Sequence, residues 1–194
     1  MTYPAPAGES RGEIREKGSR FLAWIGPAAG EEAAKSALDG LARRYPDATH
    51  HCWAWRLGSP PRERSSDAGE PSGTAGKPIL AAIEGAALHD VGVIVVRWFG
   101  GIKLGTGGLA RAYRATAAEA LRHGTPLDRY VYERVRVIAP FDAISHVYRL
   151  VQPPDVVLAE QRYGEENEFV FEVRLSLLDA FVARLRELRL MVRE

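Results

Sequence analysis

The sequence lacks the features of a secreted, membrane-spanning or disulfide-stabilised protein. Cys52 is its one cysteine, which excludes an intrachain disulfide and fits a reducing compartment. Residues 1–20 contain no apolar core of the kind that a secretory signal requires. The longest strongly apolar run, residues 91–96, is far shorter than the roughly 20 residues that cross a bilayer. We therefore predict a cytoplasmic protein with no membrane partner.

A large excess of either charge is also missing. The 194 residues include 26 Lys and Arg against 25 Asp and Glu, which gives a net charge of +1. Proteins dedicated to nucleic acids are usually strongly basic, so RNA binding by this chain would depend on a local basic patch. The charged fraction of 26% is typical of globular rather than disordered chains, and the length allows one large or two small domains.

Hydrophobic periodicity predicts an α+β domain over residues 1–128. Residues 91–99 are almost continuously apolar, which is typical of a buried central strand. Two polar stretches, 1–19 and 59–77, contain scattered Gly, Pro and Ser, and we expect them to be irregular. The other predicted elements are strands at 21–25 and 50–57 and helices at 31–45, 75–87 and 107–123.

A second, smaller domain is predicted over residues 129–194, because the pattern restarts after a turn-rich boundary at 124–129. An amphipathic segment at 141–151 and a helix at 177–188 separate segments that alternate as strands do. The predicted strands are 131–139, 156–163, 168–175 and 190–192. The resulting order, β-α-β-β-α-β, indicates a ferredoxin-like arrangement.

Two glycine-rich loops, 65–78 and 97–114, each run into the start of a predicted helix. Glycines leave backbone amides unshielded, and a helix N-terminus adds partial positive charge, so both loops favour phosphate or another anion. Residues 91–118 contain four basic side chains and no acid. The candidate anion-binding residues are Ser72, Thr74, Lys77, Arg97, Lys103, Gly105, Thr106, Gly107, Gly108, Arg111 and Arg114.

Structural roles for the same residues remain open. The glycines would then form tight turns, the arginines would coat a helix, and Ser72 and Thr74 would cap the helix that follows them. Known phosphate-binding motifs fit these two loops poorly, so they do not show whether the loops bind an anion. Gly76-Lys77 is followed by Pro78 rather than Ser or Thr, and the G-x-G-x-x-A match at 105–110 does not directly follow a strand.

Aromatic residues near these loops allow two interpretations. Trp98 and Phe99, beside Arg97, are candidates to stack on a base where the strand opens into the second loop. Trp53 and Trp55 share a strand face, and we expect them to pack under a helix.

Catalytic candidates are weak. Asp67 and Glu70 would serve as an acid–base pair or hold a divalent ion; alternatively, Asp67 shapes a turn and Glu70 binds loop amides or pairs with a cation. His50 and His51 point to opposite faces of a strand, and no second ligand pair accompanies His50 and Cys52. We predict no metal and no other cofactor, and no motif identifies an enzyme.

Several runs resemble the YigZ/IMPACT family. They are R-S-S-D-A-G-E-P-S-G-T-A-G-K-P at 64–78 and V-V-R-W-F-G-G-I-K-L-G-T-G-G-L-A-R-A-Y at 95–113, supported by residues 19–21 and 50–56. Two positions depart from the pattern. Ala68 stands where a second Asp is expected, which weakens a metal role for the first loop, and Trp98 stands where Tyr is usual.

The resemblance implies an N-terminal domain like the second domain of a small-subunit ribosomal protein and a C-terminal domain like the late domains of elongation factor G. It also implies a link to translation, because the eukaryotic relatives act in translational control by binding a regulator of a stress kinase. We therefore favour an RNA- or ribosome-associated binding protein in translation regulation. The alternatives are a protein-interaction module with a partner in translational control, or an enzyme or sensor for a small phosphorylated ligand.

Overall fold

The computed structural model describes residues 2–193, except for the side chain of residue 193. The chain forms an N-terminal unit, Tyr3–Arg129, and a second, C-terminal unit that comprises the chain from Tyr130 onwards together with Thr2. Both mix helices with antiparallel sheets, so the protein has the α+β character that the sequence predicts. Among the described residues, no helix is both long enough and apolar enough to cross a membrane.

The N-terminal unit is built around a five-stranded antiparallel sheet. Up to residue 130 the elements are β1 (Thr2–Pro6), β2 (Ser10–Glu16), β3 (Ser19–Pro27), α1 (Glu31–Arg44), β4 (His50–Leu57), β5 (Arg62–Ser66), α2 (Gly76–Gly85), β6 (Val91–Trp98), α3 (Gly105–His123) and β7 (Pro126–Tyr130). The sheet has the strand order β2-β3-β6-β4-β5, and β1 pairs separately with β7.

Strand β6 occupies the centre of this sheet, as its apolar sequence predicts. Alternate residues of a strand face opposite sides, and here both sides are covered. Val93 and Val95 pack with residues of α2 and α3, whereas Ile94 and Val96 pack on the other side with residues that include Leu41 of α1. Because β6 ends at Trp98, the chain leaves the sheet there and enters the loop before α3.

The prediction of irregular structure over 1–19 and 59–77 was wrong, because these stretches contain β1, β2 and β5. Strands β2 and β5 are the two edges of the five-stranded sheet. Edge strands bury few side chains, so they carry little apolar alternation in the sequence, and backbone pairing defines them instead. In β2 the small size of Gly12 matters: a Cβ there would lie 2.5 Å from the backbone nitrogen of Ala120 in α3.

The C-terminal unit is a four-stranded antiparallel sheet with two helices. Its elements are β8 (Tyr132–Ala139), a 3-10 turn (Phe141–Ala143), α4 (Ile144–Tyr148), β9 (Val156–Arg162), β10 (Asn167–Arg174), α5 (Leu178–Glu187) and β11 (Met191–Arg193). The strands pair in the order β11-β8-β10-β9. Phe169 and Phe171 of β10 pack in the core with Leu185 of α5 and Val147 of α4. The element order is the predicted β-α-β-β-α-β.

Candidate functional site

A pocket of about 480 Å³ lies in the N-terminal unit where β6 ends and α3 begins. We call it the α3 pocket. Its wall combines polar, basic and apolar side chains with the backbone at the start of α3. The lining residues are Thr49, His50, Glu70, Pro71, Arg97, Phe99, Lys103, Leu104, Gly105, Thr106 and Leu109.

The first turn of α3 forms part of the pocket wall. Gly105 and Thr106 line the pocket, and Leu104, the residue before the helix, supplies no side-chain cap. The turn contains no acidic residue, and a Cβ built on Gly105 would meet no atom within 4 Å. Since the first four amides of a helix have no partner inside it and carry partial positive charge, this turn is suited to an anion.

The start of α2 is different, although it too follows a glycine-rich loop. The carboxylate of Asp67 accepts hydrogen bonds from the amides of Gly73, Ala75 and Gly76 at 2.8 to 2.9 Å. Burial raises the pKa of this carboxyl group, but the three amide donors together lower it further, and the pKa lies below its usual value. Asp67 therefore already supplies the negative charge at the start of α2.

The expected capping of α2 by Ser72 and Thr74 was wrong. Ser72 is exposed, and the hydroxyl of Thr74 donates to the carbonyl oxygen of Pro71 at 2.6 Å. The cap comes from Asp67 instead, a residue for which the sequence predicted only a turn as a structural role, whereas Glu70, predicted to bind loop amides or to pair with a cation, pairs with Arg97. Lys77 is exposed and, like Ser72 and Thr74, lies outside the lining of the α3 pocket.

Lys103 is the exposed cation of the α3 pocket. Within residues 2–193 it forms no salt bridge, so its charge is available to a ligand. Arg111 is exposed outside the lining, but a Cβ built on Gly107 would lie 3.4 Å from its Nη1, so its guanidinium is beside the first turn. Arg114 is exposed further along α3, and Gly107 and Gly108 are in the first turn without lining the pocket.

Arg97 lines the pocket, yet two of its three guanidinium nitrogens donate hydrogen bonds inside the protein. Only 4% of the residue is exposed. Nη1 donates to Glu70 at 2.5 Å, and Nη2 donates to the hydroxyl of Ser19 at 3.3 Å. Glu70 therefore neutralises much of the arginine charge, as expected for a buried pair. The Nε–H of Arg97 has no hydrogen-bond partner among the described residues.

Glu70 also forms a hydrogen bond with a residue of the core. Its Oε1 accepts a second hydrogen bond, from the hydroxyl of Tyr113 at 2.7 Å. Cys52 lies next to Tyr113, with Sγ 3.4 Å from the tyrosine hydroxyl and 2.9 Å from the carbonyl oxygen of Asp67. Burial raises the pKa of the Cys52 thiol to about 12. The thiol therefore stays protonated near neutral pH and is not an activated nucleophile.

His50 joins the same pocket. Its Nδ1 is 2.9 Å from the carbonyl oxygen of Ala68, and a carbonyl can only accept, so Nδ1 carries a hydrogen. In the neutral ring Nε2 is then unprotonated, and it lies 3.9 Å from Oε1 of Glu70. No group of three or more His, Cys, Asp or Glu side chains in the described chain is arranged to hold a metal ion.

The two stacking candidates lie on different sides of the sheet. Phe99 lines the α3 pocket and is 47% exposed. Trp98 packs instead with the α1-side cluster, where its Nε1 donates to Asp47 at 2.8 Å and the guanidinium of Arg20 is 4.7 Å from the ring centroid. Phe99 is therefore the aromatic ring that a ligand in the pocket would meet.

The sequence identified only part of the pocket. Of its predicted residues, Glu70, Arg97, Lys103, Gly105 and Thr106 come together there. Sequence reasoning did not propose His50 or Thr49 as ligand-binding residues. The register that sets His50 opposite Arg97 across β4 and β6 brings these residues to the site, and no local sequence pattern encodes that register.

Comparisons with known proteins agree with the resemblance in the sequence. The sequence model of the Impact N-terminal domain matches residues 17–121. A Thermus thermophilus protein, "IMPACT family member in pol 5'region", is 48% identical over 149 residues, covering 77% of this chain and 80% of that protein. IMPACT family member YigZ of Escherichia coli is 43% identical over 125 residues, 60% of this chain and 61% of YigZ.

The likeness extends to three-dimensional structure. A solved crystal structure of a hypothetical protein is 30% identical and superimposes with a TM-score of 0.84, covering 98% of this chain and 96% of the other. The structural match covers nearly the whole chain, the Impact N-terminal domain model covers residues 17–121, and the chain belongs to the IMPACT family.

Proposed function

We propose that the protein is a cytoplasmic RNA- or ribosome-associated binding protein in translation regulation, and that the α3 pocket holds a phosphate of its ligand. The observation that carries this proposal is the open N-terminus of α3. Its first residues, Gly105 and Thr106, line the pocket together with Lys103, and Leu104 supplies no side-chain cap. The matching amides of α2 are occupied by Asp67. One helix start is thus closed by the protein's own carboxylate, and the other is open to a ligand's anion.

The architecture of the two domains also supports a role in translation. We propose that residues 1–128 are a domain like the second domain of a small-subunit ribosomal protein. For residues 129–194 we propose a ferredoxin-like domain, similar to the late domains of elongation factor G, and the strand order β11-β8-β10-β9 supports this assignment. Because one fold serves many functions, the pocket rather than the fold identifies the ligand chemistry.

Matched lysine variants test the proposal. Lys103→Ala removes the cation of the pocket, and Lys77→Ala removes an exposed lysine at the start of α2. We expect Lys103→Ala to weaken binding to single-stranded RNA and ribosomes and to reduce the log–log salt slope by about 0.7, the value for one phosphate contact. Lys77→Ala should bind like the parent protein. Equal binding by parent and Lys103→Ala at low salt would remove the basis for the proposal.

The size of the α3 pocket favours a second candidate, an enzyme or sensor for a small phosphorylated ligand. Its volume of about 480 Å³ falls in the range of roughly 300–1,000 Å³ that is usual for small-molecule sites. Thermal-shift measurements with nucleotides and magnesium test this candidate. A rise in melting temperature that Lys103→Ala abolishes would support it, whereas the absence of any rise, together with RNA binding, would favour the first candidate.

A further inference from the structure

The apolar part of the α3 pocket is suited to one flat ring. Phe99, Leu104 and Leu109 are among its lining residues. Phe99 is the most exposed aromatic side chain among the described residues of the N-terminal unit. The guanidinium of Arg97 lies 5.5 Å from the centroid of the Phe99 ring, so the ring is held at the pocket edge. A single aromatic platform offers a stacking surface to one base.

The charge balance of the pocket favours a doubly charged phosphate. The buried Arg97–Glu70 pair contributes little net charge, which leaves Lys103 and the amides of Gly105 and Thr106 facing the ligand. A terminal phosphomonoester carries about −1.5 to −2 at neutral pH and has three acceptor oxygens, whereas a bridging phosphodiester carries about −1. Lys103 and the partial positive charge at the start of α3 should therefore bind a phosphomonoester more strongly than a phosphodiester.

An independent observation also points to a ligand at this helix start. Arg97 is 4% exposed and lines the pocket, and its Nε–H has no hydrogen-bond partner in the described part of the chain. A buried donor without a partner carries a desolvation cost that an acceptor on a bound ligand would offset. The Nε atom is closed to solvent in this structure, so a small shift of the pocket wall must expose it to the ligand. The helix amides and this buried guanidinium thus both favour an anionic acceptor in the same pocket.

We propose that the α3 pocket recognises the phosphorylated end of an RNA chain, an inference that rests on the proposed function. The terminal phosphate binds at the first turn of α3 beside Lys103, and its nucleotide stacks on Phe99. Proteins that follow a strand through its interior combine a basic groove with several stacking side chains. Here Arg114 and Lys77 lie outside the pocket, so the pocket accommodates one nucleotide rather than a passing strand.

The chemistry of the oligonucleotide end provides the test. Three RNAs of one sequence are compared by fluorescence anisotropy: one with a 5′-phosphate, one with a 3′-phosphate and one with hydroxyls at both ends. We expect one phosphorylated RNA to bind about tenfold more tightly than the hydroxyl form, as one or two charge-assisted hydrogen bonds predict. The preferred end identifies which terminus is recognised. Lys103→Ala should abolish the preference, and Lys77→Ala should retain it.

The outcomes separate this inference from the function on which it rests. Equal affinity of the parent protein for all three RNAs would overturn end recognition and leave RNA binding intact. Failure to bind any of the three RNAs or ribosomes would overturn both. A preference that survives Lys103→Ala would overturn the assignment to the α3 pocket. Because Lys103 is exposed, circular dichroism of the variant should match the parent and exclude misfolding as the cause.

Discussion

Arg97 and Glu70 form a buried ion pair in the wall of the α3 pocket, with Nη1 of Arg97 2.5 Å from Oε1 of Glu70. Their side chains are 5% and 3% exposed. Removing two charges from water costs free energy that only close pairing and further hydrogen bonds offset. Tyr113 and Ser19 supply such bonds, one to each partner. Each charge therefore depends on the other, and the pair holds the loop before α2 against the end of β6.

Removal of Glu70 should strongly destabilise the fold. In Glu70→Ala the guanidinium of Arg97 stays buried without a counter-charge, and the loss of one partner of a buried pair costs about 3–5 kcal/mol. Urea unfolding followed by circular dichroism measures the free energy of unfolding. A matched control is Glu32→Ala, because Glu32 pairs with Lys35 at the surface, where its side chain is 94% exposed; an exposed pair contributes about 0–1 kcal/mol.

A double variant tests whether the unpaired charge of Arg97 causes the loss of stability in Glu70→Ala. Glu70→Leu combined with Arg97→Met replaces both charges by apolar groups, and such replacement is often nearly neutral for stability. We expect the double variant to recover most of the stability that Glu70→Ala loses. If Glu70→Ala costs no more than Glu32→Ala, the buried pair is not the main support of the loop.

The stability contributed by Asp67 should depend on pH. Its pKa in the folded protein is below the usual value, so the unfolded chain takes up the proton first as pH falls. The contribution is fully present above the unfolded pKa of about 3.9 and is lost as pH falls through the lower, folded pKa. We expect Asp67→Asn to be less stable than the parent at pH 7, and the difference to shrink below about pH 4.

Urea unfolding at pH 7, 5 and 3 measures this difference. Asp128→Asn is the control, because Asp128 is exposed in β7 and should show almost no change at any of the three values. A gap between the parent and Asp67→Asn that stays constant from pH 7 to pH 3 would contradict the role of the carboxylate as the cap of α2.

The sequence predicted elements whose side chains carry a strong pattern. The apolar run of β6 identified the central strand, and helical spacing identified α1 and α3 to within a few residues. The edge strands β2 and β5 carry no such pattern, since their stability comes from backbone pairing with β3 and β4. Local patterns report burial, and edge strands bury little.

The sequence could not show which of the two glycine-rich loops is open to a ligand. The loops before α2 and α3 share the same local signals, namely glycines, a lysine and a following helix. Only the folded chain shows that Asp67, eight and nine residues before Ala75 and Gly76, reaches back to occupy one helix start. The sequence also could not separate Trp98 from Phe99, because their different sides depend on how the chain leaves β6.

Adjacent aromatic residues should therefore have separate roles. Phe99→Ala removes the ring that lines the pocket, and loss of a stacking ring costs about 1–3 kcal/mol of RNA-binding free energy. Trp98→Phe keeps a ring but loses the hydrogen bond from Nε1 to Asp47, so it should lower stability by about 1 kcal/mol and leave RNA affinity unchanged. Binding isotherms and urea unfolding of both variants test this. Reversed roles would place the stacking surface on the α1 side of the sheet.

Gly100 should be a glycine of the second loop that close backbone packing requires. A Cβ at this position would overlap backbone atoms of Gly18 and Ser19, and backbone atoms cannot rotate away as the end of a side chain can. The amide of Gly100 also donates to the hydroxyl of Ser19 at 3.2 Å. We expect Gly100→Ala to lower the free energy of unfolding by about 3 kcal/mol.

Gly40→Ala is the matched control for this prediction, because Gly40 lies within α1 and a Cβ there would meet no atom within 4 Å. It should stabilise the protein by about 0.5–1 kcal/mol, since alanine favours the helix more than glycine does. Gly100→Ala should also weaken RNA binding, because the close approach of Gly100 to Gly18 fixes the start of the loop that carries Lys103. A Gly100→Ala protein with the parent's stability would mean that the loop moves freely away from the β2–β3 turn, and Lys103 would then have no fixed position beside α3.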